Sequence, residues 1–140
     1  MTENIRLEVV TPEKVVVDEE TQIVMAPGSL GEFGVLEGHT PFLTTLKTGE
    51  LQYKDTAGKD RFVFVSGGFA EALPDKVTVL AESAERRRDI DIDRAKAARD
   101  RAEGRLAGQG NEDQIDDARA QVALARSIRR ITMAEMRSKI

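Results

Sequence analysis

Apolar and polar residues alternate with a period of two along most of residues 1–84. Because successive side chains of a β-strand point to opposite faces of a sheet, this alternation predicts half-buried strands. Turn-forming residues separate them, as in Asp55-Thr56-Ala57-Gly58, Ser66-Gly67-Gly68 and Pro74-Asp75. Many short strands with no helical pattern between them predict a β-sandwich or flattened barrel over residues 1–84. The predicted strands cover residues 5–10, 14–17, 21–26, 42–47, 50–54, 61–66, 68–73 and 76–81.

One segment of this half, residues 28–41, is rich in glycine and ends at Pro41. Glycines this close together predict a tight loop with positive φ angles rather than a strand. The segment lacks the Gly-Lys-Ser/Thr ending of a phosphate-binding loop, and no helical pattern follows it. His39 lies in this segment without partners for catalysis, so we expect it to pack locally and to form hydrogen bonds within the loop.

The composition changes near Ala84, where β-branched residues give way to alanine, arginine and acidic residues. These residues favour helices. Asp89 or Asp91 can cap a first helix that ends at about Ala107, and a second helix begins at about Glu112 after a glycine-containing break. Because a short link makes neighbouring helices antiparallel, residues 85–140 are predicted to form a C-terminal antiparallel two-helix hairpin.

The second predicted helix carries apolar residues on two separate faces when its residues are placed about 100° apart. A single partner helix cannot cover both faces. This predicts that the hairpin changes conformation to reach a second docking site. One face holds Ile115, Ala118, Val122 and Ala125, and the other holds Leu124, Ile128 and Ile131.

Between these two faces runs a stripe of basic residues that could meet acidic groups or phosphate. The alternative interpretation is an ordinary solvated helix face, and the two flanking apolar rows favour the docking interpretation. The stripe consists of Arg119, Arg126, Arg130 and Arg137.

The first helix has a charged face as well, formed by Asp91, Arg94, Arg101 and Arg105. These residues can form ion pairs within the helix, each contributing a few tenths of a kcal/mol. Alternatively, arginines of the antiparallel second helix lie alongside and complete a pocket of guanidinium groups for a polyphosphate. Spacing by itself favours the ion pairs.

The residue inventory excludes most catalytic chemistry. The chain has no cysteine and one histidine, so thiolate metal sites, cysteine nucleophiles and histidine-based triads lack their residues. The net charge of −4, from 21 basic and 25 acidic residues, argues against general nucleic-acid binding. We find no apolar run of the roughly 18 residues that a membrane span needs and no signal-peptide pattern at residues 1–6, so we expect a cytosolic, non-catalytic interaction protein without a metal site.

Several motifs resemble one known family, and they occur along nearly the whole chain in that family's order. The chain is similar to the epsilon subunit of bacterial F-type ATP synthase. The matching segments are Val9-Val10-Thr11-Pro12, Gly31-Glu32-Phe33-Gly34-Val35-Leu36, Gly38-His39-Thr40-Pro41, Ser66-Gly67-Gly68-Phe69, the segment 74–81 and Met133-Ala134-Glu135-Met136.

The resemblance implies a rotor subunit of a proton-translocating complex, peripheral on the cytoplasmic side of the bacterial inner (plasma) membrane. Its sandwich would bind the gamma subunit and the membrane rotor ring, with the loop of Glu32 and His39 facing the ring. Its hairpin would extend into the alpha/beta catalytic head and inhibit ATP hydrolysis. There Arg119, Arg126 and Arg130 would meet an acidic segment of the beta subunit. The chain itself would be an accessory subunit without a catalytic site, and it would contact the membrane only through the complex.

The resemblance also implies a regulatory ligand, although no cofactor is required. Some members of this family bind ATP through an Ile/Leu-Asp-x-x-Arg-Ala motif, which Ile90, Asp91, Arg94 and Ala95 match here. The family pattern adds Glu85, Arg126 and Arg130. An alternative function is a free-standing ATP-binding sensor without a motor, and an intrinsic enzyme ranks last because no nucleophile and base pair is present.

Overall fold

The computed structural model describes residues 3–108 and 114–137, with the side chains of 114–116 and 137 left out of the description. The chain divides into two compact units, Met1–Arg86 and Arg87–Ile140. We call them the sandwich unit and the hairpin unit. The last strand ends at Arg86, so the division falls beyond the predicted boundary between residues 84 and 85.

The sandwich unit consists of seven strands in one curled sheet with the order β1-β7-β6-β4-β2-β3, and β5 pairs with both β2 and β6. The sheet closes on itself because β1 pairs antiparallel with β2 and parallel with β7. The predicted sandwich or flattened barrel is confirmed. The strands are β1 Ile5–Val10, β2 Val15–Gly28, β3 Gly31–Val35, β4 Phe42–Leu46, β5 Gly49–Asp55, β6 Asp60–Ala72 and β7 Lys76–Arg86.

The core lies inside the curled sheet and follows the period of two. In β1, Ile5, Leu7 and Val9 are fully buried, whereas Arg6 between them faces solvent. Complete burial of such an aliphatic side chain stabilises the folded state by roughly 1.5–3 kcal/mol relative to leaving it exposed. The buried Thr21 is satisfied because its hydroxyl donates to the Ile5 carbonyl oxygen over 2.8 Å.

Two long strands replace four predicted short ones. The prediction of a turn at Ser66-Gly67-Gly68 was wrong, because β6 runs through it and changes partner there. Its first part pairs with β5 up to Val65, and its second part pairs with β4 from Gly68. Positive φ angles of 65° at Gly67 and 119° at Gly68 provide the bend. β2 likewise joins the predicted strands 14–17 and 21–26 into one strand.

The predicted loop at 28–41 was wrong in its first half. β3, Gly31–Val35, pairs antiparallel with the end of β2 and forms a short hairpin. Within this segment, positive φ angles occur only at Gly31 and Gly38. Two positive-φ glycines therefore suffice for the reversals, and Gly34 lies in an ordinary extended strand.

The hairpin unit begins with a 3-10 turn, Arg87–Asp89, and continues with α1, Ile92–Ala107, and α2, Gln114–Arg137, which pack against each other. Only six residues connect the two helices, so they run antiparallel as predicted. Asp91 is the N-cap of α1, and the Gly108 N–H closes the helix by donating to the Gly104 carbonyl oxygen over 2.9 Å. The predicted start of the second helix at Glu112 lies outside the described residues.

Small residues at a spacing of seven lie on the buried side of each helix, and on α2 the larger Ile131 and Met133 are buried as well. Ala95 and Ala102 are buried in α1, and Ala120, Ser127 and Ala134 are buried in α2. A repeat of seven keeps side chains on one seam between packed helices, and small side chains allow the helix axes to approach. Neither helix is long and apolar enough to cross a bilayer in the part of the chain that the structure describes.

Candidate functional site

The Ile90–Ala95 motif builds the start of α1. The Asp91 carboxylate accepts a hydrogen bond from the Arg94 N–H over 3.0 Å, and its carbonyl oxygen accepts one from the Ala95 N–H over 3.0 Å. Ile90 and Ala95 are each 4% exposed, so both anchor the first turn in the interior. The motif thereby places the Arg94 side chain at the surface, one turn from the positive end of the α1 dipole.

The other predicted ATP-binding residues are distributed over both units. Glu85 is a half-buried residue of β7 in the sandwich unit. Arg126 and Arg130 are half-buried on α2 in the hairpin unit, one turn apart. The side chains of residues 3–108 and 117–136 provide no ion pair for Arg94 or Arg126. Among these described side chains, two cations of the set are therefore not committed to an acidic partner.

The outer face of α2 is apolar with basic residues beside it. Ala118 and Ala125 are exposed, and Val122 is 51% exposed, so the described members of the first predicted row face outward. Ile115 of that row lies among the side chains outside the description. The second row is split, because Ile131 is buried whereas Ile128 is 47% exposed.

Of the predicted basic stripe, Arg119 is exposed, and Arg126 and Arg130 are half-buried. The side chain of Arg137 lies outside the described residues. The stripe is therefore not uniformly solvated, and the two arginines of the predicted ATP set are its less exposed members.

A further surface, on the sandwich unit, was missed by the sequence analysis. Val10, Leu80, Phe69 and Thr45 lie next to each other in register across β1, β7, β6 and β4. Phe69 and Leu80 are 53% and 54% exposed. Together they form part of a groove of about 610 Å³, which we call the β-groove. It is lined by Val10, Thr11, Pro12, Thr45, Leu46, Gly67, Gly68, Phe69, Leu80, Ala81 and Glu82.

A signal for the β-groove was present in the sequence. The outward positions of a sheet that faces solvent are normally polar. Phe69 and Leu80 are large apolar residues at outward positions of otherwise alternating strands. Their adjacency depends on the register of two strands joined at Pro74-Asp75, and the predicted β6–β7 turn was enough to derive it.

The two residues predicted to face a membrane ring lie in different surroundings. Glu32 is exposed in β3, directly after the β2–β3 hairpin turn. His39 is half-buried in the loop beyond the other end of β3, where its Nδ1 atom is 2.7 Å from the Thr40 carbonyl oxygen and its ring lies 5.2 Å from that of Phe42. The expected local packing and hydrogen bonding of His39 are confirmed.

A charged cluster fixes the end of β7 within the sandwich unit. The Arg86 guanidinium donates to the Val16 carbonyl oxygen over 3.1 Å and to the Tyr53 hydroxyl over 3.0 Å, and it lies 3.6 Å from the Glu19 carboxylate. Burial, together with a hydrogen bond to Glu19, raises the pKa of Tyr53 to about 12, against the opposing charge of Arg86. This cluster, the Arg86 clamp, ties the last residue of the unit to β2 and β5.

Comparison with known proteins covers both units. Residues 4–87 match the family model of the ATP synthase delta/epsilon chain beta-sandwich domain, and residues 88–135 match that of its long alpha-helix domain. The chain belongs to the ATP synthase delta/epsilon chain family. The predicted resemblance is thereby confirmed along almost the whole sequence.

Relatives within the delta/epsilon family are similar over their full length. The chain is 62% identical to the ATP synthase epsilon chain of Desulforapulum autotrophicum, over 98% of this chain and 100% of the relative. It is 56% identical to that of Nitratidesulfovibrio vulgaris, over 94% and 96%. A subunit solved with the mitochondrial ATP synthase of Euglena gracilis shares the fold, with a TM-score of 0.76 at 23% identity over 95% of this chain and 81% of that one.

Proposed function

We propose that this delta/epsilon-family chain acts as a central-stalk subunit of an F-type ATP synthase, whose sandwich unit docks permanently and whose hairpin unit regulates ATP hydrolysis. The observation that carries the proposal is the combination, on α2, of an exposed apolar row with Arg119 and Arg126, for which the described side chains provide no ion pair. The proposed site of action is the cytoplasmic side of a bacterial plasma membrane, with the chain peripheral to it. No catalytic step is assigned to the chain itself.

The sandwich unit offers two surfaces for permanent partners. The β-groove presents Phe69 and Leu80 side by side, as the core of a protein interface requires. We assign this surface to the gamma subunit. The exposed Glu32 and the loop of His39 then remain for the polar loops of the membrane rotor ring.

The hairpin unit offers a surface for a temporary partner. Val122 and Ile128 lie about half exposed on α2, with Arg119, Arg126 and Arg130 along the same helix. An acidic segment of the catalytic beta subunit complements such a surface, because buried apolar contact provides affinity and opposite charge sets the register. Binding there by an extended hairpin would block the rotation that hydrolysis requires.

ATP is the proposed ligand of the alternative, folded hairpin. Arg94 on α1 and Arg126 on α2 lack an ion pair in the described part of the chain, and a polyphosphate can bridge guanidinium groups from two helices. Arg130 and Glu85 complete the family set. A ligand shifts a conformational equilibrium only by its difference in affinity between the two states. ATP held between α1 and α2 would therefore favour the folded, non-inhibitory state.

Inhibition can be tested in the assembled complex. We expect ATP hydrolysis to rise several-fold when the chain is truncated after Arg88, and also when Arg119, Arg126 and Arg130 are changed together to glutamine in the full-length chain. Arg99→Gln is the matched control, because Arg99 already pairs with Asp100 over 3.1 Å. Unchanged hydrolysis with both the truncated and the triple variant would contradict the regulatory role.

Nucleotide binding is tested separately by equilibrium dialysis of the full-length chain with ATP. We expect binding that Arg126→Gln weakens by about tenfold, as for loss of one charge-assisted contact. Arg129→Gln is the control, since Arg129 is an exposed α2 arginine outside the family set. Absence of ATP binding up to millimolar concentrations would remove the ligand from the proposal and leave the inhibition untouched.

A further inference from the structure

The β-groove is apolar over most of its lining, and Glu82 is its one charged residue. Its two other polar side chains are already engaged. The Thr45 hydroxyl donates to the Ser29 hydroxyl over 2.8 Å, and the Thr11 hydroxyl donates to the Lys14 carbonyl oxygen over 3.2 Å. The hydroxyl protons of both threonines are thus engaged, and the Glu82 carboxylate is the one charged group of the lining side chains that can bind a partner.

The surroundings of Glu82 keep its carboxylate accessible. Its side chain is exposed, and the described residues provide no ion pair for it. A Cβ atom at Gly67 would lie 3.4 Å from the carboxyl carbon of Glu82, so glycine at this position leaves the space beside the carboxylate open. A charged acceptor thus lies at the margin of an apolar surface formed by Phe69 and Leu80.

This arrangement has a specific chemical complement. Lysine and arginine combine an apolar stem with a cationic head, and their stems lie along apolar surfaces while the head stays polar. An aromatic face also attracts the cation itself. Resting on the assignment of the β-groove to the gamma subunit, we propose that the groove selects a lysine or arginine of gamma, with its stem on Phe69 and Leu80 and its head paired with Glu82.

The test measures binding of the full-length chain to the complex of alpha, beta and gamma subunits that lacks it. We expect Glu82→Gln, which keeps the shape and removes the charge, to weaken binding about fivefold at low salt, as for one partly desolvated ion pair. The loss should shrink as salt is raised. Glu82→Lys should weaken binding further. Glu71→Gln is the control, because Glu71 is an exposed β6 residue outside the groove.

Phe69→Ala distinguishes failure of this inference from failure of the docking assignment. We expect it to weaken binding by tenfold or more, as for truncation of a central aromatic residue. If the alanine variant does not fold, Phe69→Leu replaces it in the same binding measurement. If Phe69 variants lose affinity and Glu82→Gln binds like the unchanged chain at every salt concentration, the selection of a basic residue is wrong and the docking assignment stands. If neither changes affinity, both are wrong.

A charge exchange identifies the gamma residue. Each lysine and arginine of gamma is changed singly to glutamate and combined with Glu82→Lys. We expect one combination to restore binding by at least about threefold over Glu82→Lys with unchanged gamma, as coupling between two contacting residues requires. Equal binding by all combinations would contradict a direct pair.

Discussion

The two units use arginine in opposite ways. In the sandwich unit, Arg6 lies 2.6 Å from the Asp18 carboxylate, Arg61 lies 3.0 Å from Asp55, and Arg86 is held by its clamp. In the hairpin unit, Arg94, Arg119 and Arg126 have no ion pair with the described side chains of residues 3–108 and 117–136. Arg88 and Arg99 each form an ion pair with the next residue along the chain, Asp89 and Asp100 respectively.

Apolar surface shows the same contrast. In the sandwich unit, Phe69 and Leu80 lie side by side in the β-groove of a closed sheet, although Leu30 and Leu43 are exposed outside it. In the hairpin unit, Val122, Ile128 and Met136 are spread along a single helix. A groove formed by adjacent strands of a closed sheet suits a constant partner, whereas a helix with exposed apolar side chains and arginines can gain stability from a partner that covers them. The difference fits the proposed division into a docking unit and a regulatory unit.

The largest effect on the stability of the folded chain should come from Gly68→Ala. A Cβ at this position would overlap the Leu80 carbonyl oxygen of the adjacent strand, and its φ of 119° is unfavourable for alanine. We expect the free energy of unfolding to fall by roughly 3 kcal/mol or more.

Gly104→Ala in α1 is the matched change in the hairpin unit, where a new Cβ meets nothing within 4 Å. It should stabilise α1 by roughly 0.5–1 kcal/mol. Urea denaturation followed by circular dichroism measures both variants. Equal tolerance of alanine at the two positions would contradict the requirement for glycine at Gly68.

Removal of the Arg86 clamp should have the next largest effect. Arg86→Ala leaves the buried Tyr53 hydroxyl and the Val16 carbonyl oxygen without their donor, and we expect a loss of roughly 1–3 kcal/mol. Arg129→Ala on α2 is the control and should change stability by less than about 0.5 kcal/mol. The same urea titration checks both, and a loss that is no larger for Arg86→Ala would show that the clamp is not stabilising.

The helix cap should contribute less. Asp91→Ala removes the acceptor for the Arg94 N–H and should cost roughly 1 kcal/mol. Asp91→Asn keeps an acceptor and should cost only a few tenths of a kcal/mol. Thermal unfolding monitored at a helix-sensitive wavelength compares the two, and an equally large loss with asparagine would assign the effect to charge rather than to capping.

The smallest effect at neutral pH concerns Tyr53, and it becomes visible only in alkali. The pKa of Tyr53 is raised from 10.0 to about 12 in the folded chain, so the unfolded chain loses this proton first. The contribution of the protonated Tyr53 to the free energy of unfolding is therefore fully present below pH 10, and it is lost as the pH rises to about 12. Urea denaturation between pH 9 and 12.5 should show that the free energy of unfolding declines more steeply with pH for the unchanged chain than for Tyr53→Phe. Parallel declines would contradict the raised pKa.

Local patterns predicted the class of fold and most of the elements. The alternation of Ile5, Leu7 and Val9 marked β1 with the observed bounds, because this signal acts within a few residues. Asp89 or Asp91 marked the start of α1 for the same reason, and Asp91 is the N-cap. The patterns failed where distant residues decide the structure. β3 forms because the end of β2 pairs with it, and β6 continues through Gly67 because two different strands hold its two parts.

The candidate sites show the same limit. The motif Ile90–Ala95 could be identified by its match to the motif of the family it resembles, and the Phe69–Leu80 pair follows from the β6–β7 turn. The addition of Val10 to the β-groove depends on the pairing of the distant β1 with β7. On α2, two apolar rows were predicted, whereas the buried side combines the small Ala120, Ser127 and Ala134 with Ile131 and Met133. Which apolar residues of α2 face α1 is decided by packing between the helices, and spacing along one helix did not identify them.

Hydrogen exchange of the chain within the assembled complex, compared between ATP and ADP, tests most directly whether regulation lies in the hairpin. We predict that amides of α1 and α2 exchange at different rates with the two nucleotides, whereas those of the sandwich unit, including β7 up to Arg86, exchange alike. Helices that exchange identically under both nucleotides, or a change spread equally over strands and helices, would contradict the division into a constant docking unit and a responsive regulatory unit.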